Sequence, residues 1–423
     1  MAERTIRIAH IGYGMFGGDV VAGTLHDLQR NGISPYLGRV GLDDYAAKYH
    51  DVKFEVVAIG EKAPEVAERA IKDSQELTGQ TPKAYVGDTP WKDIVAENPD
   101  LDLMVVATPD PLHTPPVLEA LRNGIHAITE KPMCLHLREA DEMIELAEKN
   151  DLILGVDMHK RYDPDHLRIF KELSKDLGHP IYCRGVLEEP LEVSTSIFKW
   201  AEESDPFTYV GIHWVDIFMH YLQLRPLALY AVGQKQRLLK EFGKDAFDAV
   251  QVMVTHTNGT TVIYESNWLT PEDFESNVNQ ESSMVGEYGK VESDSQYRGL
   301  RYWVEGKGFR ALNTHFFRQV ERPDGSLASV GYGKDSLVTC IEKVCRHKFL
   351  GVPAAELEGT YPDGKSQRLT TAVVNAAREC LARNDKYLRA GKPPVATASF
   401  GDHGITIHDP NAGEDVSIYD KAV

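Results

Sequence analysis

Arg4-Thr5-Ile6-Arg7-Ile8-Ala9-His10-Ile11 runs without a break into Gly12-Tyr13-Gly14-Met15-Phe16-Gly17. Residues 19–29 then carry Val20, Val21, Leu25 and Leu28 at helical spacing. Strand, GxGxxG and helix in that order read as the opening of a dinucleotide-binding fold, whereas the same glycines elsewhere would read as a plain turn. Each glycine has its own reason. Gly12 permits the tight turn, Gly14 lets a pyrophosphate approach the backbone, and Gly17 allows close helix–strand packing. Amides at the helix start then meet the phosphate charge, with Met15 and Phe16 lining the same loop. The chain has no GxxxxGK[ST] phosphate loop.

Working outward, the next strand is 54–59 and Glu61 stands at its end. A carboxylate there accepts hydrogen bonds from ribose hydroxyls and repels a 2′-phosphate, which favours NAD over NADP. Lys62 softens that discrimination. Glu61 lies farther from Gly12 than the usual ~20 residues, because 31–53 is inserted; with Gly32, Pro35, Gly38 and Gly41 the insert reads as a tolerated surface excursion. Helix 65–77, strand 84–86 and helix 91–97 follow, and then the unbroken apolar strand 101–107, of the kind buried on both faces. That strand ends in Thr108-Pro109-Asp110-Pro111-Leu112-His113, and strand 124–129 delivers Glu130-Lys131-Pro132 to the same edge. Ligands of an open parallel sheet collect outside the carboxyl ends of its strands. Thr108, Pro109, Asp110, His113, Glu130 and Lys131 are therefore expected to border the cofactor, and Pro132 stops its strand.

A chain of 423 residues suits two domains, divided here as 1–133, a Rossmann NAD-binding domain, and 134–423, for substrate binding and oligomerisation. The formal net charge of −18, spread along the chain, disfavours nucleic acid and anionic membranes as partners. Five cysteines (134, 183, 340, 345, 380) without CxxC spacing fit reduced thiols in a cytoplasmic protein. No apolar h-region precedes the first strand and no apolar run nears the ~20 residues of a membrane span.

Helix 138–149 and strand 152–156 lead into Asp157-Met158-His159-Lys160-Arg161-Tyr162, where Lys160 and Arg161 either orient a substrate or pair with nearby acids. From residue 181 the pattern turns strand-like, at 181–187, 227–235, 250–257, 261–269 and 284–291. With a hairpin signal at Asn258-Gly259, this predicts an α+β domain with a large, mostly antiparallel open sheet. Helices 336–349 and 366–388 follow, and 395–423 reads as a loosely attached polar tail. In 209–220, helical spacing sets His213, Asp216 and His220 on one side and Val215 and Phe218 on the other. That face suits an acid/base helix, a structural polar face, or a metal site, although zinc asks for tighter convergence.

The ordered set Gly12 to Gly17, Ala107-Thr108-Pro109 with His113, Glu130-Lys131-Pro132, His159 to Pro164, and Gly211-Ile212-His213-Trp214-Val215-Asp216 resembles the Gfo/Idh/MocA family of sugar and cyclitol dehydrogenases. The resemblance implies NAD-dependent oxidation of a secondary or anomeric hydroxyl of a sugar, sugar derivative or cyclitol. Lys131 and His213 would be catalytic, Lys160, Arg161, Tyr209 and Asp216 would bind substrate, and no metal would be needed. It also implies a homodimer or homotetramer built on the antiparallel sheet. One position departs from the pattern: the family's usual aspartate four residues before the histidine is Tyr209 here. The same residues would serve a glycosidase that uses tightly bound NAD through a transient keto-sugar. A non-catalytic dinucleotide-binding sensor is a further alternative.

Overall fold

Thr5–Ile11 (β1) sits inside a six-stranded parallel sheet completed by Lys53–Glu61 (β2), Lys83–Val86 (β3), Leu103–Val106 (β4), His126–Thr129 (β5) and Leu154–Val156 (β6). The spatial order is β3-β2-β1-β4-β5-β6, every pair parallel. The direction of winding reverses between β1 and β4, which is the switch point where such sheets open a crevice for ligand. Helices Ala22–Asn31, Pro64–Thr78, Pro90–Glu97, Thr114–Arg122 and Leu137–Lys149 make the crossovers. All four residues of β4 are buried, as expected of a strand covered on both faces.

The computed structural model describes residues 4–306 and 308–423. The chain divides into two compact units, the first made of the segment up to Cys134 with 139–163 and 315–367, the second of 135–138, 164–314 and 368–423. The first unit thus takes in a piece from far down the chain, including the helix Tyr332–Leu350.

That piece corrects the reading of 31–53 as a surface excursion. Ile33, Tyr36, Leu37, Tyr49 and Val52 are buried in one core with Leu337, Val338 and Ile341. Each such side chain contributes about 1.5–3 kcal/mol by leaving water. Polar ties join the same surfaces. Arg39 grips Asp335 with two nitrogens at 3.0 and 2.8 Å, Tyr49 donates to Glu342 at 3.2 Å, and the Lys334 ammonium lies 3.0 Å from the Tyr36 ring centre. Lys334 itself is buried against Asp27.

The second unit is built on Pro180–Pro190 (β7), Pro226–Gln234 (β8), Ala249–His256 (β9), Thr261–Thr270 (β10), Asn279–Gly286 (β11) and Gly289–Asp294 (β12). A hairpin of Leu300–Val304 (β13) and Gly308–Leu312 (β14) follows; Arg318–Glu321 (β15) and Leu327–Val330 (β16) pair within the first unit. Thr397–Gly401 (β17), Gly404–Asp409 (β18) and Glu414–Tyr419 (β19) close the chain. One nine-stranded sheet results, in the order β12-β11-β7-β10-β9-β8-β17-β18-β19. It is antiparallel except for the β7–β10 pair. The Asn258-Gly259 turn joins β9 to β10, with Gly259 at φ +88°.

Two expectations change here. Residues 284–291 are not one strand but the two sides of a hairpin, because the chain reverses at Glu287-Tyr288 and Gly286 pairs back with Gly289. The segment 395–423 is no loose tail. Its three strands extend the sheet from β8, and Ile405 and Ile407 are fully buried.

Candidate functional site

The glycine loop leaves β1 at Gly12, whose φ of +90° suits only glycine and whose added Cβ would lie 2.4 Å from the Ala107 carbonyl oxygen. Its amide donates to Gly60 at 2.9 Å, so the loop is tied to the ends of both neighbouring strands. A Cβ on Gly17 would meet the Gly12 carbonyl at 2.4 Å, so the helix start lies directly on the turn. Gly14 differs from both: a Cβ there would meet nothing within 4 Å. Two of the three glycines are demanded by the protein's own backbone, and the third faces open space of the kind a pyrophosphate needs. A wide π-type turn, Gly17–Val21, begins the helix. Met15 is 47% exposed, and the Phe16 ring stacks on His159 at 5.5 Å.

Glu61 ends β2 beside this loop. One carboxylate oxygen accepts the Tyr13 amide at 2.7 Å and the other accepts its neighbour's, Lys62, at 2.7 Å. Each oxygen keeps a further lone pair, so the carboxylate is held in place and can still accept a ribose hydroxyl. The Lys62 ammonium turns to Asp88, 2.8 Å away on the surface.

At the ends of β4 and β5, His113 is buried with Nδ1 2.6 Å from the Pro132 carbonyl and Nε2 2.8 Å from the Thr108 carbonyl. Burial holds its pKa below the ordinary value; the Asp110 charge and the two carbonyls favour protonation but do not overcome it. A neutral imidazole has one N–H, so His113 donates to one of these two carbonyls and packs its other nitrogen against the second, where the two strand-end loops meet. Asp110 is buried as well, while Thr108 and Pro109 are half-buried. Glu130 and Lys131 are each 6% exposed.

After β6 come residues that sequence marks only as a basic and aromatic stretch. Lys160 and Arg161 are buried, with Arg161 Nη2 3.5 Å from the Ser366 hydroxyl. Asp157, not singled out from sequence, is fully buried, and its amide donates to Thr129 at 2.9 Å. The available signal is an acid directly after β6, matching Glu130 directly after β5.

In the second unit the helix Ile212–Leu222 is buried on nearly all sides, including His213 and Asp216, whereas His220 is half-buried. Gly185 on β7 explains the close packing: a Cβ there would lie 2.6 Å from Trp214 Cγ, and the Trp214 indole donates to Val186 at 2.9 Å. Among the described residues, His213, Asp216 and His220 do not converge as a metal-ligand set. The acid preceding this helix is Asp205, which accepts both the amide and the hydroxyl of Thr208, at 2.9 and 2.6 Å, and so caps the turn Phe207–Gly211. Tyr209 packs its ring 4.6 Å from Phe198 and 5.8 Å from Trp200.

Comparison with known proteins agrees with this architecture. Residues 6–158 match the family described as GFO_IDH_MocA, "Oxidoreductase family, NAD-binding Rossmann fold", and residues 173–292 match "GFO/IDH/MocA C-terminal domain". The chain is 28% identical over 185 residues to the uncharacterized oxidoreductase YdgJ of Escherichia coli, covering 44% of this chain and 51% of that protein. It is 25% identical over 195 residues to an inositol 2-dehydrogenase of Rubrobacter xylanophilus, covering 45% and 53%. The chain spans about half or less of the length of the curated relatives it matches. A solved myo-inositol 2-dehydrogenase from Lactobacillus plantarum shares the fold with a TM-score of 0.65 at 17% identity, covering 94% of this chain and 99% of that one.

Proposed function

The chain belongs to the Gfo/Idh/MocA oxidoreductase family, and from that premise we propose that it is an NAD-dependent oxidoreductase acting on a secondary or anomeric hydroxyl of a sugar, sugar derivative or cyclitol. The observation that carries the reading is the open space over Gly14, on the sheet edge where Glu61 and Lys131 also end their strands. The loop amides of Gly12 to Gly17 would receive the pyrophosphate. Glu61, held by two amides, would take the adenosine ribose and reject a 2′-phosphate, which makes NAD the cofactor over NADP. Thr108, Pro109, Asp110 and Glu130 would border its reactive end, with His113 where their loops meet. Bound there, NAD would supply the hydride acceptor.

The protein's share of the chemistry is the proton. Lys131 would accept it from the substrate hydroxyl and stabilise negative charge developing on that oxygen. His213 is the second proton-handling residue, supported by the family resemblance of its helix and by its burial. Lys160, Arg161, Tyr209 and Asp216 would recognise hydroxyl or carboxylate groups of the substrate. A dimer or tetramer would use the outer face of the large sheet, where Tyr182, Met253 and Ile263 are exposed. Five buried free thiols fit a reducing, cytoplasmic setting, and among the described residues no helix is long and apolar enough to cross a membrane.

A screen of sugars and cyclitols that follows NAD and NADP reduction, run beside Lys131→Met, tests the reading. The expected outcome is NAD reduction with at least one substrate and a loss of roughly 10³-fold or more in kcat for the variant, with NAD affinity retained. Turnover unchanged in the variant would sink it.

A further inference from the structure

β5 and β6 are parallel neighbours, with Thr129 opposite Val156. The next residue on each is an acid, Glu130 and Asp157, and the Asp157 amide still donates to Thr129 at 2.9 Å. In-register residues on parallel neighbours lie on the same face, ~4.8 Å apart. Both are buried, at 6% and 0% exposure, and neither Glu130 Oε1 nor either Asp157 oxygen has a hydrogen-bond donor among the described residues. Two carboxylates are both acceptors, so only a proton between them closes that contact. Two adjacent buried carboxyls cannot both ionise cheaply. Accordingly burial, followed by the Asp157 charge and a hydrogen bond to it, pushes the Glu130 carboxyl well above the usual range, against a smaller opposing effect of Lys131.

Lys131 faces this pair from the end of β5, and His113 lies beyond Lys131 in the loop after β4. The turn after β6 adds His159, Lys160 and Arg161, the helix Tyr332–Leu350 adds Cys340, and the chain beside β6 adds Asp363. His159 Nδ1 stands 3.8 Å from Asp157 Oδ2. Its ring is held among Phe16, Phe316 and Tyr332, with centroids 5.5, 5.3 and 5.9 Å away. The phenyl ring of the glycine loop thus touches the imidazole beside the acid pair.

We propose that Glu130 and Asp157 hold one proton between them, and that this pair receives the proton Lys131 takes from substrate. The role assigned to Lys131 rests on the function proposed above; the shared proton does not. Lys131 as neutral amine accepts the hydroxyl proton and becomes ammonium. It then passes that proton to the ionised half of the pair, which leaves the amine neutral and both carboxyls protonated. Release of one proton from the pair before the next turnover restores the one-proton state. Asp157 is therefore a positioning residue acting through Glu130.

Infrared spectra of the cofactor-free protein at neutral pH read the shared proton directly. The wild type should show a protonated-carboxyl C=O band, and Asp157→Asn should shift that band in frequency, because the Glu130 carboxyl then no longer donates to an ionised neighbour while burial still keeps it protonated. A wild type without that band, or a band unshifted in folded Asp157→Asn and intact in Glu130→Gln, overturns the proposal. The wild-type spectrum decides even if the variants fail to fold. For the link to Lys131, Asp157→Asn should change the shape of the kcat/KM pH profile, since the group that receives the substrate proton is then a single carboxyl and not a pair. An equal fall in rate at every pH, with the shape unchanged, would reduce Asp157 to a structural residue. Should no hydroxyl oxidation be found at all, the function above fails while the infrared result still stands on its own.

Discussion

The two sheets of this protein solve different problems, and their site residues differ in the same way. The parallel sheet buries both faces of its central strands, so most side chains within them are apolar and the candidate site residues lie at or just past the strand ends. Gly12, Glu61, Thr108, Glu130 and Asp157 all stand at or directly after such ends. The nine-stranded sheet alternates instead. Val250, Val252 and Val254 point inward while Gln251 and Met253 lie exposed, and its candidate residues sit on a helix packed over it. In the first case topology selects the site. In the second, packing does.

Four measurements would break or sharpen that contrast. The largest effect is expected at the strand-end glycines. Gly12→Ala forces a Cβ against Ala107 at positive φ and should destabilise the first unit by roughly 3 kcal/mol or more. Gly14→Ala, which meets nothing, should leave the melting temperature unchanged and weaken NAD binding instead. Equal losses of stability in both would remove the distinction. Next, Ile407→Ala on the inner face of the large sheet should cost about 2–5 kcal/mol in a denaturant titration, a loss that a loosely attached tail would not show.

A smaller effect concerns pH. His10, in the middle of the parallel sheet, has its pKa lowered by burial, then by His26, from 6.5 to about 3. Between those values the unfolded chain binds a proton that the native state does not. The His10 contribution is thus fully present above pH 6.5 and is lost as pH falls toward 3, at about 1.4 kcal/mol per pH unit. Thermal melts of the wild type and His10→Gln from pH 7 to 5 should converge as the pH drops. The smallest effect belongs to the outer face: Met253→Ser should change monomer stability by less than about 0.5 kcal/mol, and any measurable effect should appear as weaker self-association.

Where chemistry sits at strand ends, it could be read directly. GxGxxG after an apolar run, an acid closing β2, and Glu130-Lys131-Pro132 closing β5 are local patterns, and the backbone that surrounds them follows from hydrogen bonding between adjacent strands. Asp157 escaped notice because its significance lies in a neighbour 27 positions earlier, brought into register only by β5–β6 pairing. The insertion 31–53 was misread for a similar reason. Its apolar residues follow neither a period of 3.6 nor of 2, and the surface that covers them is supplied partly by a helix whose Glu342 lies 293 positions beyond Tyr49. The final strands looked dispensable because edge pairing to β8 leaves no periodic signature strong enough to separate it from a polar tail.

Local sequence therefore determined the Rossmann topology, the glycine loop, the acid beside it and the lysine at the strand end, since turn geometry and strand periodicity act over a few residues. Tertiary structure alone decided what shares a buried space: the seating of His113 between two loops, the burial of the insertion and the tail, and the meeting of Glu130 with Asp157. Those outcomes depend on desolvation and on contacts between distant segments, which no local pattern encodes.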